Sequence, residues 1–206
     1  MNKVYVTAIV KDVLAEEYGQ YLPPMKARRM GKLQKRALVT ALKAMEISGV
    51  GEPDAILNGT AIGCMENTVQ LLNGLQTEGE EVNMPTCFMQ STHNTVASMI
   101  AIYTKNHGYN TTYSHRTISF ELALQDALMR LRTGKIRTAL VCANDELTEL
   151  QLQQPRFFGQ LEVRDHSEAW MLSLEPGEHP LYEFDNVQII HEKGQEDRAI
   201  IHKKPL

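Results

Sequence analysis

Two rhythms of apolar and polar residues alternate along the 206-residue chain. Short, mostly apolar runs at 4–10 (VYVTAIV), 55–58 (AILN), 138–143 (TALVCA) and 169–174 (AWMLSL) read as buried strands. Between them, apolar residues recur every three or four positions. Leu33, Ala37, Leu38, Ala41, Leu42 and Met45 predict a helix over 33–47. Gly49, Gly51 and Pro53 end it, because glycine closes a helix in a left-handed turn and proline cannot continue one. Further helices are expected over 66–75, 91–105 and 117–132, the last entered from a short strand at 110–114. Prolines mark 21–25 (YLPPM) as a loop. Residues 85–90 read as a second loop, carrying Phe88 and Met89. The tail, 181–191 followed by 198–202, reads as a hairpin or an extension.

The order β-α-β-α-β-α-β-β implies an α/β fold. The expectation is a mixed, mainly parallel five-stranded sheet flanked by helices, in one domain over 1–206 with its core at about 1–176. On a helical wheel, the 117–132 helix has two apolar stripes. Phe120, Leu124, Ala127 and Leu131 form one; Ile118, Leu122 and Met129 form the other. Two stripes call for packing on both sides, so the tail or another subunit should cover the second.

Composition narrows the function. Hydrophobic residues make up 43% and charged residues 22%, as in ordinary globular proteins. A net charge of -4 argues against a nucleic-acid binder, which carries a basic surplus. No apolar run approaches the length of a membrane span, and the first residues are charged too early for a signal peptide. Cys64, Cys87 and Cys142 lie far apart with no paired spacing, which fits a reducing, cytoplasmic setting without a metal site.

Candidate chemistry gathers at the strand-to-helix corner in 110–128 (NTTYSHRTISFELALQDAL). Acyl-transfer enzymes often hold a nucleophile at such a corner, but here only Ser114, Thr117 and Ser119 offer hydroxyls. A triad of Ser114, His115 and Asp145 or Glu146 would need a geometry that no motif such as G-x-S-x-G supports. Thr117 also suits a helix N-cap. His93 and Asn94 are expected to hydrogen-bond the local backbone.

Several segments together resemble the N-terminal half of β-ketoacyl-acyl-carrier-protein synthases, which have the thiolase fold. VYVTAIV is similar to that family's first strand. MKARRMGKLQKRALVTALKAM (25–45) resembles its basic loop and first helix. ILNGTAIGCMENT (56–68) resembles its second strand and GT-x-x-G turn. MPTCFMQSTHNTVASMIAIYTKNHG (84–108) carries its P-T-x-F-x-x-S-x-x-N-T-x-A pattern. ALQDALMRLRTGKIRTALVCANDE (123–146) looks like the helix, strand and Asp-Glu pair that follow the nucleophile.

The departures are informative. Counting back from Gly134, the family's nucleophilic cysteine aligns with Thr117. A helix N-terminus can lower a thiol's pKa, but a threonine hydroxyl needs a base. The family's two catalytic histidines lie in a C-terminal half that these residues do not match. The resemblance therefore implies a chain-length-factor-like subunit with no catalytic residue and no cofactor. Such a subunit pairs with an active β-ketoacyl synthase in bacterial fatty acid, polyketide or aryl-polyene synthesis. It further implies an acyl pocket and interface at Thr86, Phe88, Met89, Ser91, Asn94, Thr112 and Ser114. Strand 110–114 would be the sheet edge that joins two subunits. Lys26, Arg28, Arg29 and Lys32, with Lys35 and Arg36 beyond, would receive an acidic acyl carrier protein. Two alternatives remain: a stand-alone acyl transferase or thioesterase using Thr117 or a nearby serine, and a homodimeric binding protein.

Overall fold

The computed structural model describes residues 2–79, 83–153 and 164–206. Its strands are β1 (Tyr5–Lys11), β2 (Ala55–Gly59), β3 (Tyr109–Tyr113), β4 (Thr138–Asp145), β5 (His166–Ser173), β6 (Tyr182–Ile190) and β7 (Arg198–Lys204). Its helices are α1 (Tyr18–Tyr21), α2 (Pro24–Ala27), α3 (Lys32–Ser48), α4 (Met65–Glu78), α5 (Pro85–Gln90), α6 (Thr95–Thr104), α7 (Ser119–Arg132) and α8 (Glu149–Gln153).

All seven strands join one mixed sheet in the order β3-β2-β4-β5-β1-β6-β7. The α/β class and flanking helices stand, but the sheet has seven strands rather than five. β2 pairs in parallel with β3 and β4, and every other pair is antiparallel. Traced through those pairs, β1 to β4 and β7 run one way and β5 and β6 the other. The sheet is thus mainly parallel in strand direction but not in hydrogen bonding.

The two added strands, β6 and β7, form the hairpin expected of the tail, with a bulge in β6. Phe184 and Val187 of β6 are both buried, and the register against β7 shifts between Phe184 and Asn186. That extra residue breaks the period of two by which a strand is recognised.

Each face of the sheet has its own apolar layer. Ile56, Leu140, Cys142, Ala169 and Met171 face α3 and α6. Leu57, Val141, Trp170, Leu172 and Phe184 face α7. Alternate residues of β2, β4 and β5 therefore enter different layers, which explains why these strands are buried throughout.

Two proline segments read as loops contain short helices, α2 and α5. In both, proline occupies the first turn, where its missing N–H costs nothing. The second stripe of α7 is only partly covered. Ile118 is buried and Leu122 half-buried, but Met129 is 57% exposed. β6 packs along the helix flank instead, where Arg132 donates to the Asp185 carbonyl.

Candidate functional site at the strand-helix corner

β2 and β4 end beside β3 where the chain turns through a 3-10 segment, Arg116–Ile118, into α7. In open α/β sheets, ligands bind at the carboxyl ends of parallel strands. Gly59 makes this approach possible. A Cβ there would lie 2.5 Å from the Phe120 backbone, so only glycine lets α7 begin against the end of β2. Ser119 fixes the turn: its Oγ accepts the His115 N–H at 2.8 Å and donates to the Arg116 carbonyl at 2.7 Å. The N-cap expected of Thr117 is not made: Ile118 holds that position, with no side-chain cap bond. Thr117 is exposed, and its hydroxyl makes no hydrogen bond among the described residues.

A cavity of about 210 Å³ opens at the corner, lined by Arg116, Thr117, Glu121, Asp145, His166 and Glu168 among others. Its carboxylates are not arranged as bases for Thr117. Asp145 Oδ1 accepts the Thr60 hydroxyl at 2.8 Å and the Ala61 and Ile62 N–H groups at 2.9 Å each. It clamps the GT-x-x-G turn. Glu168 is held by the Trp170 indole N–H and by Lys11. Glu121 is kept high by burial and by the nearby Glu168 charge, and its Oε2 has no partner among the described residues.

The imagined triad is dismantled. His115 Nε2 lies 2.8 Å from Asp197 of the β6–β7 turn, not against Asp145. Glu146 accepts the Leu33 N–H at 3.2 Å and the Glu66 N–H at 3.0 Å, tying the starts of α3 and α4 to the end of β4. Both carboxylates, of Asp145 and Glu146, thus tie the corner together through backbone N–H groups. Burial, with Glu146 and Asp145 nearby, pushes Cys64 up to about 12, and burial alone does the same to Cys142. At Cys64 these effects outweigh any acidifying pull from the start of α4.

The residues of the P-T-x-F segment gather on one side of this end. α5 presents Phe88 and Met89, 63% and 71% exposed, so neither belongs to the core. Ser91 and Asn94 lie in the turn before α6, where the His93 ring sits against Gly63 of the GT-x-x-G turn. Among the described residues, His93 and Asn94 make no side-chain hydrogen bond to the local backbone. Thr95 does so instead, donating to the Met89 carbonyl at 3.0 Å. Ser114 is exposed, just past β3, and the buried Thr112 hydroxyl in β3 has no partner among the described residues.

Basic residues line the approach. Gln90 donates to the Arg29 carbonyl at 3.0 Å and joins α5 to the basic loop. An open groove of about 510 Å³ between them is lined by Arg29, Lys32, Lys35 and Thr86 among others. Lys26 lies over the Tyr103 ring, Arg28 and Arg29 are exposed, and Lys32 pairs with Asp165 at 2.9 Å. Arg36 is not part of this surface. It is buried, bonded to Ser167 Oγ, Asp165 and the Asp145 and His166 carbonyls. Burial disfavours the Asp165 charge, but the bonds from Arg36 and Lys32 outweigh it and hold the carboxyl at about 2.

Comparison with known proteins agrees with this geometry. The model of the family described as "Beta-ketoacyl synthase, N-terminal domain" matches residues 9–204. A sequence search of curated proteins found no significant match. Among solved structures, a ketosynthase in complex with its chain length factor from Xenorhabdus doucetiae is similar at 20% identity and a TM-score of 0.68. That likeness covers 93% of this chain and 85% of the other. The ishigamide ketosynthase/chain length factor is similar at 16% identity and 0.74, over 91% and 67%. A β-ketoacyl synthase from Burkholderia phymatum is similar at 13% and 0.74, over 95% and 66%. The chain thus spans most of the first of these chains and about two thirds of the other two. At these identities the likeness is one of fold. Among the described residues, no helix is long and apolar enough to cross a membrane.

Proposed function

The chain belongs to the β-ketoacyl synthase N-terminal domain family, and from that premise we propose that it is a non-catalytic, chain-length-factor-like partner of an active β-ketoacyl synthase. One observation carries the reading. Counting back from Gly134 aligns the family's cysteine with Thr117, whose hydroxyl no base touches among the described residues. The partner supplies the condensation of acyl-carrier thioesters. This chain supplies an interface and one wall of the acyl pocket.

Three features support the role. Phe88 and Met89 are large apolar side chains held out in solvent on α5, as pocket or interface residues must be in a lone subunit. With Thr86, Ser91, Asn94, Thr112 and Ser114 they form the proposed interface. β3 is an open sheet edge without a charged residue, suited to pairing. The exposed Lys26, Arg28, Arg29 and Lys32 form the proposed landing surface for an acidic carrier protein. The setting is a cytoplasmic fatty acid, polyketide or aryl-polyene pathway, and the chain acts as one domain.

The test is reconstitution with the cognate ketosynthase, malonyl carrier protein and primer. The expected result is a heterodimer whose products lengthen in Phe88→Ala. Absence of a complex together with unchanged product length refutes the reading. A covalent acyl adduct lost in Thr117→Ala would show a stand-alone transferase or thioesterase instead.

A further inference from the structure

The turn between β6 and β7 reaches back to the corner and grips two consecutive residues of it. Asp197 receives His115 Nε2 on Oδ2 at 2.8 Å and His191 Nδ1 on Oδ1 at 2.5 Å. Beside it, Glu196 lies 3.6 Å from the Arg116 guanidinium. Arg198 pairs with Glu192 at 2.8 Å and closes the turn on itself. Residues about 80 positions apart in the chain are thus tied at the start of α7.

The gripped backbone is the part that needs holding. Arg116 has φ of +48°, a left-handed conformation that a non-glycine side chain resists. Within the corner, this turn is tied by the two Ser119 bonds to His115 and Arg116 and by the Ile118 N–H, which donates to the His115 carbonyl at 3.3 Å. Thr117 and Arg116 both line the corner cavity, so the shape of that cavity depends on the turn. The His115 and His191 contacts also hold the Asp197 carboxyl below its ordinary range, consistent with a carboxylate engaged from both sides.

We propose that the β6–β7 turn is a strap: Asp197 and Glu196 hold His115 and Arg116 in the left-handed turn that sets Thr117 at the cavity mouth. The C-terminal hairpin then conditions the vacated site as well as extending the sheet. This inference does not depend on the identity of any partner.

Native-state hydrogen exchange on the whole chain tests it, with Asp197→Asn and His115→Ala compared with the unaltered protein. Releasing the strap should speed exchange at His115, Ile118 and Ser119 by roughly fivefold or more, while Val141 and Cys142 in β4 keep their protection. That pattern in either variant supports the strap. Unchanged exchange at 115–119 in both variants overturns it. So does loss of β4 protection in both, because the contacts would then hold the whole fold rather than the corner.

Discussion

The two edges of the sheet are built on opposite rules. β7 carries Arg198, His202, Lys203 and Lys204 along an open edge. Lys203 lies over the Tyr182 ring, and Lys204 pairs with Asp185. Charges along an edge, lysines above all, make pairing with another chain costly. β3, at the other end, is Tyr-Asn-Thr-Thr-Tyr, with no charge and a buried Thr112 hydroxyl left without a partner among the described residues. One edge carries charges that discourage a neighbour, and the other carries none. The uncharged edge runs directly into the corner, so pairing there would set a partner's surface beside the cavity and the exposed Phe88 and Met89.

A change at the corner should have the largest effect. Gly59→Ala drives a Cβ into the Phe120 backbone and should cost about 3 kcal/mol or more, read by denaturant unfolding. An unaffected midpoint would mean that α7 does not start where described.

A charge placed on the uncharged edge comes next. Thr111→Lys should weaken the complex with the ketosynthase by about 2 kcal/mol while leaving the melting temperature nearly unchanged. Titration calorimetry checks the first expectation and differential scanning calorimetry the second.

Acid sensitivity gives a smaller effect. The Asp165 carboxyl is lowered to about 2, so its stabilising contribution is full above the ordinary carboxylate range and is lost as pH falls through the folded value. Asp165→Asn should cost about 1 kcal/mol at neutral pH and flatten the stability profile between about pH 4 and pH 2. Stability measured at stepped pH reads both.

Taking the charges off the guarded edge is the gentlest intervention. Arg198→Thr with Lys204→Thr should raise self-association only a few-fold. Sedimentation shows whether β7 rather than β3 then becomes the contact.

Much of the frame was readable because it rests on local pattern. The α3 stripe, the continuous apolar runs of β2 and β4, and the position of β3 ahead of α7 all follow from period and composition. What escaped depends on long-range partners or on a break in period. The bulge in β6 displaces Val187 from alternation, so the tail hairpin did not read as part of the sheet. Arg36 and Lys32 stand four apart in one basic run, yet Arg36 is buried because Asp165 and Ser167 arrive from about 130 residues away. Asp145 and Glu146 looked like candidate acids, but the backbone N–H groups that occupy them belong to a distant turn and to the distant starts of α3 and α4. The corner was legible as a place and Thr117 as its occupant. The strap through Asp197 was not, since nothing local to His115 points to the β6–β7 turn.

The decisive experiment is native mass spectrometry of the chain mixed with its cognate ketosynthase and acyl carrier substrate. The expected species is a one-to-one heterodimer in which this chain keeps its unmodified mass while the ketosynthase is acylated. Two separate species, or an acyl group on this chain that disappears in Thr117→Ala, would contradict the proposed role.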